Sequence, residues 1–262
     1  MRIALFTLES LSNAVALRRL VEMRGSEIVL LGLSDPYRKA AGGAIGQTLR
    51  HWRRSGPRFL PYLAVNFSLP ALSRGLRRSS LKHVAGRLGI PTATIADVND
   101  ATTLSLLRRS RADLIVSYHF DQIFTAATLA SVVRGGVNVH PSLLPRHRGP
   151  VPTLYALLDE QPMTGVTIHR LAPRIDAGAI LAQKPVVLPH DATVIGASAM
   201  LHEAALPMLD EVLRQLENGS AVETLAPVEP YCPFPSRELL RQAGRRGVKL
   251  ADLRDLRRAV FG

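Results

Sequence analysis

The sequence predicts an α/β fold, a Rossmann-like and mostly parallel sheet flanked by helices, and three observations predict it. Residues 2–6 (RIALF) and 27–33 (EIVLLGL) are short, almost wholly apolar runs, as expected of strands buried on both faces. Between them lies a helical stretch that Ser12 or Asn13 can cap and Gly25 can stop. A strand–helix–strand unit this short implies parallel strands and a right-handed crossover. The same rhythm then recurs along the chain.

The remaining elements follow in order. A helix is expected near 80–88, ahead of Gly89-Ile90-Pro91, and another near 98–109. Strands are expected at 113–117 (DLIVS) and 136–139 (GVNV), and later at 166–170 and 179–188. A long amphipathic helix runs from about Thr193 to Leu216 and ends at Gly219. Residues 36–79 break the pattern: they hold four prolines and five glycines and show no clear strand, which marks an insertion. Gly42, Gly43 and Gly46 follow no strand and are read as loop. Beyond the long helix, Pro227, Pro230, Pro233 and Pro235 argue against regular structure. The expected organisation is a main domain over 1–217 and a basic C-terminal extension over 218–262.

Composition narrows the class. Of 262 residues, 47% are hydrophobic, enough for a substantial core. A single cysteine, Cys232, excludes an intramolecular disulfide and a multi-cysteine zinc site. The opening apolar run, Ile3 to Phe6, is too short for a signal peptide, and nothing approaches the ~18 apolar residues of a membrane span. The expectation is a cytoplasmic protein, with peripheral contact at the inner membrane surface as an open alternative.

The net charge of +12 is concentrated in two segments. Residues 38–82 carry ten Lys or Arg and no acid, and residues 237–258 carry eight against three acids. Such appendages suit an anionic partner. Within 49–78, an apolar core of about 14 residues is flanked by arginines and Trp52. It could lie on anionic lipid, or pack on the domain while the arginines stay solvated or bind a substrate's phosphates. Pro61 and Pro70 are expected to limit any helix there to about two turns.

Ligands of open α/β sheets sit beyond the carboxyl ends of strands. The candidate places are the turn after residue 6, the loop after 117 and the loop after 139. The first reads TLESLSN and lacks G-x-G-x-x-G, so a dinucleotide is not supported; no P-loop, H-E-x-x-H or G-x-S-x-G occurs either. Asn138 and His140 are two apart at the end of a strand and face the same way. Asn offers a donor to an oxyanion, and His moves protons near neutrality. Asp176 lies in a glycine-containing loop that can fold back over that strand end, where a carboxylate would raise the pKa of His140. From the residues alone the plain readings stay open: a structural His, a capping Asn, and an Asp-Ala-Gly turn.

The motifs add a resemblance. Asn138-Val139-His140 with Ser142-Leu143-Leu144-Pro145, then Asp176-Ala177-Gly178-Ala179-Ile180, resembles the core of the 10-formyltetrahydrofolate-dependent formyltransferases. Thr164-Gly165-Val166-Thr167 and Gln183 agree as well. The resemblance spans about 1–35 and 80–217 in element order and is dense over 113–183. It implies the formyltransferase fold and transfer of a formyl group from 10-formyltetrahydrofolate to a primary amine, with no metal. It implies His140 as general base or acid, Asn138 as oxyanion donor and Asp176 as the partner of His140. Folate contacts would come from Gln122, Ile123 and Phe124, from Pro150, and from Ala172, Pro173, Arg174 and Ile175 leading to Asp176. Ser142 would support the His140 loop or serve only as a turn hydroxyl, and His119, His147 and His169 are read as structural.

The text TGVTIHRLAPRIDAGAILAQ is similar to formyltransferase domains acting on a nucleotide-linked amino sugar. The relatives acting on methionyl-tRNA normally carry a C-terminal barrel, for which the residues after the long helix are too few, so tRNA is the lesser expectation. A formyltetrahydrofolate hydrolase would share the same residues but usually carries an N-terminal regulatory domain. A non-catalytic polyanion-binding module is the remaining alternative, resting on the basic segments.

Overall fold

The structure, a computed structural model, describes residues 1–35, 42–159 and 163–262. Its centre is a seven-stranded sheet in the order β3-β2-β1-β4-β5-β6-β7. The strands are β1 (Ile3–Thr7), β2 (Ile28–Ser34), β3 (Thr92–Ile95), β4 (Leu114–Tyr118), β5 (Gly136–His140), β6 (Thr164–Arg170) and β7 (Ile180–Val186). The pairs from β3 through β5 are parallel, and β6 and β7 join antiparallel. This is the mostly parallel sheet that the apolar runs predict. β3 is the strand the sequence reading missed. It is four residues long, it directly follows Pro91, and only Ile95 of it is buried, so it carries no apolar run to reveal it.

Helices cover both faces. α1 (Ala14–Arg24), α5 (Leu81–Arg87) and the long α9 (Val194–Asn218) pack on one face, where Leu5, Leu17, Leu81, Val116 and Leu209 are fully buried. α6 (Ala101–Ser110) covers the other, with Leu107 packed among Phe6, Ile95, Ile115 and Phe124. The short helices α7 (Ala126–Leu129) and α8 (Pro152–Leu157) follow β4 and β5.

The insertion is helical. Its first residues, 36–41 with Arg38 and Lys39, lie outside the described residues. α2 (Gly43–Ser55) starts at the glycine cluster that was read as loop; Gly42 precedes it at φ 85°, a conformation glycine adopts without strain. α3 (Leu60–Leu63), a π-helical turn (Ala64–Ser68) and α4 (Leu69–Leu76) then form one nearly continuous helical path. Pro61 and Pro70 therefore do not confine the helix. Each sits in the first turn of its own piece, where no N–H is needed, and the wide turn between them absorbs the break.

The C-terminal extension is also corrected. Irregular chain holds only as far as Pro235. Ser236 then caps α10 (Arg237–Arg245), and Asp252 opens α11 (Leu253–Phe261) with a reciprocal capping box to Asp255. Insertion and extension share one apolar cluster: Phe59, Tyr62 and Val65 meet Val151, Leu154, Val194, Leu240, Ala243 and Ala259. The middle of the 49–78 segment is thus buried inside the protein, while Leu49, Trp52, Leu72 and Leu76 are exposed. No helix among the described residues is long and apolar enough to cross a membrane.

Candidate active site

Asn138 and His140 end β5, and β6 runs antiparallel beside them with Asn138 opposite His169 and His140 opposite Thr167. The loop from β6 to β7 turns back over this strand end. Its turn brings Asp176 Oδ1 within 3.6 Å of His140 Nδ1 and within 3.6 Å of His169 Nε2. Asp176 itself has φ 46°, in the left-handed region, which short polar side chains tolerate and which clusters at functional sites. Gly178 makes the fold-back possible, because a Cβ there would sit 1.9 Å from the Arg170 carbonyl oxygen.

The hydrogen bonds assign protons. His169 Nδ1 donates to the Arg170 carbonyl at 2.8 Å, and in that tautomer Nε2 accepts from Asn138 Nδ2 at 3.1 Å. Asn138 Oδ1 in turn accepts from the Ser117 hydroxyl at 2.7 Å. These bonds fix which way the amide points and leave its second N–H free to donate. His140 Nε2 donates to the His147 carbonyl at 3.2 Å, so the neutral ring keeps its lone pair on Nδ1, facing Asp176.

Burial and charge oppose each other at His140. It is 4% exposed, and that burial holds its pKa below the ordinary value despite the pull of Asp176 in the other direction. The expected upward pull of Asp176 is present, but removing the imidazolium from water outweighs it, so the net shift is downward. Burial would push Asp176 up, but the charge His140 can carry and the Gly149 N–H hold it down at about 2. Near neutrality the pair is a neutral imidazole beside an ionised carboxylate.

A cleft of about 300 Å³ surrounds these groups. Gln122, Ile123, Phe124, Pro150, Ala172 and Ile175 all line it, together with Asn138, His140, Asp176 and His169. Pro173 and Arg174 do not; Arg174 borders a neighbouring hollow with Val228 and Pro230. Ser142 is fully buried outside the lining and bonds the Arg146 carbonyl at 2.9 Å, which steadies the loop after His140. Thr167 and Gln183 brace the same loop through Ser142 and Leu144.

Two participants escaped the sequence reading. His169, read as structural, bonds Asn138 and approaches Asp176; the signal was its place directly opposite Asn138 on the next strand. Arg148 is 3% exposed and donates to the Ile175, Asp176 and Glu229 carbonyls, tying the Asp176 loop to the C-terminal extension. Next to it, the Gly149 N–H donates to Asp176 Oδ2 at 2.9 Å.

Of the three strand-end places, the loops after β4 and β5 border the cleft. The turn after β1 is filled by the insertion. Asn66 Oδ1 accepts from the Ser12 N–H at 3.0 Å, and its carbonyl accepts from the Leu11 N–H at 2.7 Å. Arg74 pairs with Glu9 at 3.3 Å in the same turn. Close by, His119 accepts at Nδ1 from Asn13 Nδ2 at 2.8 Å, and burial lowers its pKa to about 4.

A doubly wound sheet with a neutral imidazole, an ionised carboxylate and a fixed amide donor at one strand end defines a group-transfer enzyme of the α/β class. The family model described as formyl transferase matches residues 73–213, and the chain belongs to that family. Its fold is similar to that of a sugar N-formyltransferase from Shewanella sp. FDAARGOS_354 (20% identity over 99% of this chain and 88% of that one, TM-score 0.56). It is also similar to glycinamide ribonucleotide transformylase 1 from Symbiobacterium toebii (18% identity over 87% and 94%, TM-score 0.57). A third similar structure is the formyltransferase PseJ from Anoxybacillus kamchatkensis, in complex with UDP-4,6-dideoxy-4-formamido-L-AltNAc and tetrahydrofolate (21% identity over 66% and 90%, TM-score 0.52). The protein is a formyltransferase.

Proposed function

We propose that the protein transfers the formyl group of 10-formyltetrahydrofolate to a primary amine on a nucleotide-linked amino sugar or a similar small acceptor. One observation carries this reading. His140 Nδ1 and Asp176 Oδ1 face each other at 3.6 Å, and both are acceptors when the ring is neutral. An amine nitrogen, with several hydrogens to give, is the group that complements them. Between Phe124, Leu171, Ala172 and Ile175 the cleft has the apolar walls a pterin ring requires.

Formyltetrahydrofolate supplies an activated formyl carbon. As the amine adds to it, the free N–H of Asn138 donates to the oxygen on which negative charge develops. His140 Nδ1 takes the amine proton, and Asp176 stabilises the imidazolium so formed. His140 then returns that proton to the departing nitrogen. Gln122 to Phe124, Pro150, and Ala172 to Ile175 are the proposed folate contacts, Pro173 and Arg174 on the outer side of that loop. The amino-sugar acceptor is supported by the similar sugar N-formyltransferases and by the motif 164–183; a glycinamide-type acceptor is the alternative their fold neighbours offer. Peripheral contact with anionic membrane would rest only on exposed Leu49 and Trp52 beside Arg53 and Arg54, because the apolar middle of the 49–78 segment is buried; flotation with anionic liposomes tests it.

The test supplies 10-formyltetrahydrofolate with nucleotide amino sugars, glycinamide ribotide and methionyl-tRNA, and reads the mass gain of one formyl group. Formylation of a nucleotide amino sugar is expected, with His140→Ala slower by about 10²–10⁴-fold at unchanged folding. Formate release at the same rate without any amine would instead identify a hydrolase.

A further inference from the structure

The insertion and the C-terminal extension border an open hollow that does not include Asn138, His140 or Asp176. It measures about 570 Å³ and lies at the seam between α3 and α10. Its apolar lining comes from Pro61, Tyr62, Leu240, Ala243, Val248, Leu250 and Ala251. Its charged lining is three arginines, Arg58, Arg241 and Arg245, with no acid among the lining residues.

Two of the three arginines are not consumed by internal pairing. Arg241 forms an exposed ion pair with Glu238. Arg58 and Arg245 make no hydrogen bond or ion pair among the described residues. Gly244 lies beside Arg58, whose Nη1 stands 3.7 Å from the point a Cβ would occupy, which is ordinary van der Waals distance. Like charges gathered round an apolar hollow repel one another and favour an anion among them. Guanidinium forks match phosphate oxygens, and the floor rewards an apolar group attached to the phosphate.

We propose that this cavity is a binding site for a phosphate ester carrying an apolar group, held by Arg58 and Arg245 at the phosphate and by Leu240, Val248 and Leu250 along the apolar part. The site adjoins the catalytic cleft, since Tyr62 lines both. Either a soluble organic phosphate or a phospholipid headgroup provides this chemistry.

Calorimetric titration of the full-length protein with decyl phosphate, below its micelle concentration, tests the proposal without reference to the reaction. Saturable one-site binding is expected. The Arg58→Ala/Arg245→Ala protein should bind roughly tenfold or more weakly, and an Arg78→Ala/Arg257→Ala control, which removes two exposed charges away from the cavity, should match the parent. Thermal melts of all three proteins establish that they fold alike. Competition by uridine diphosphate would assign the site to soluble phosphates; arginine-dependent flotation with phosphatidic-acid vesicles would assign it to a lipid headgroup. Absence of saturable binding by the parent, or equal weakening in the control variant, would overturn the proposal.

Discussion

His169 shows how a residue outside the recognised motif acts on one inside it. Its Nε2 accepts from Asn138, and with the Ser117 hydroxyl on Asn138 Oδ1 this bond decides which atom of the amide is presented to substrate. His169→Ala should let the Asn138 amide rotate, lowering kcat by about 10–100-fold while leaving the folate Kd within about twofold. A fall in folate affinity equal to the fall in kcat would mean that the cleft has collapsed instead. The pH profile follows from His140. Its neutral form is the base, and burial holds its pKa below the ordinary histidine value. The acid limb of kcat/KM should therefore have its midpoint below about 6.5. Removing the opposing charge with Asp176→Asn should move that midpoint lower still, in whatever activity remains.

At the scale of elements, the Asp176 loop is held from outside. Arg148 reaches the Ile175 and Asp176 carbonyls on one side and the Glu229 carbonyl on the other, and Cys232 N–H returns a bond to the Arg148 carbonyl at 2.7 Å. Gly149 has φ 134°, and a Cβ on it would lie 2.0 Å from the Cys232 carbonyl oxygen. Gly149→Ala should therefore displace the extension and the loop together, costing roughly 3 kcal/mol or more and most of the activity, read by denaturant melts and initial rates. These contacts explain what the sequence could and could not reveal. β1, β2, β4 and β5 were legible because buried strands need continuous apolar runs; Asn138 and His140 share a strand face two residues apart, but they and Asp176 stand out only through the family motif, because a structural His, a capping Asn and a turn Asp fit the spacing equally well. Arg148 joins segments 27 and 81 residues away, and no periodicity encodes such a bond. The insertion's prolines misled for a different reason: their meaning depends on whether they fall in a first turn, which only the exact helix start decides.

For the molecule as a whole, acid sensitivity should come from His119, which lines the cleft, and His202 packed beside it. Burial lowers the pKa of His119 to about 4 and that of His202 to about 3. Both stay neutral in the fold while the unfolded chain takes up protons below about 6.5. Their contribution to stability is complete above that value and lost as pH falls toward 4, by about 1.4 kcal/mol per pH unit for each. Asp176, at about 2, keeps its charge through this window, so its own contribution fades only at lower pH. Melting temperature measured from pH 7 to 4 should fall accordingly, and His202→Gln should flatten the slope without abolishing it. A slope unchanged in that variant would place the acid sensitivity elsewhere.

The seat of Asn66 at the first turn of α1 has an engineering consequence. Two backbone donors, on Leu11 and Ser12, are satisfied only because a distant helix reaches down to them. Excising residues 42–79 would remove both acceptors together with the segment that covers the turn, so any packing rebuilt over it would leave two donors unpaired, at about 1–3 kcal/mol each. Any graft that shortens this enzyme must therefore bring its own oxygen atoms to that turn, or rebuild the turn with it.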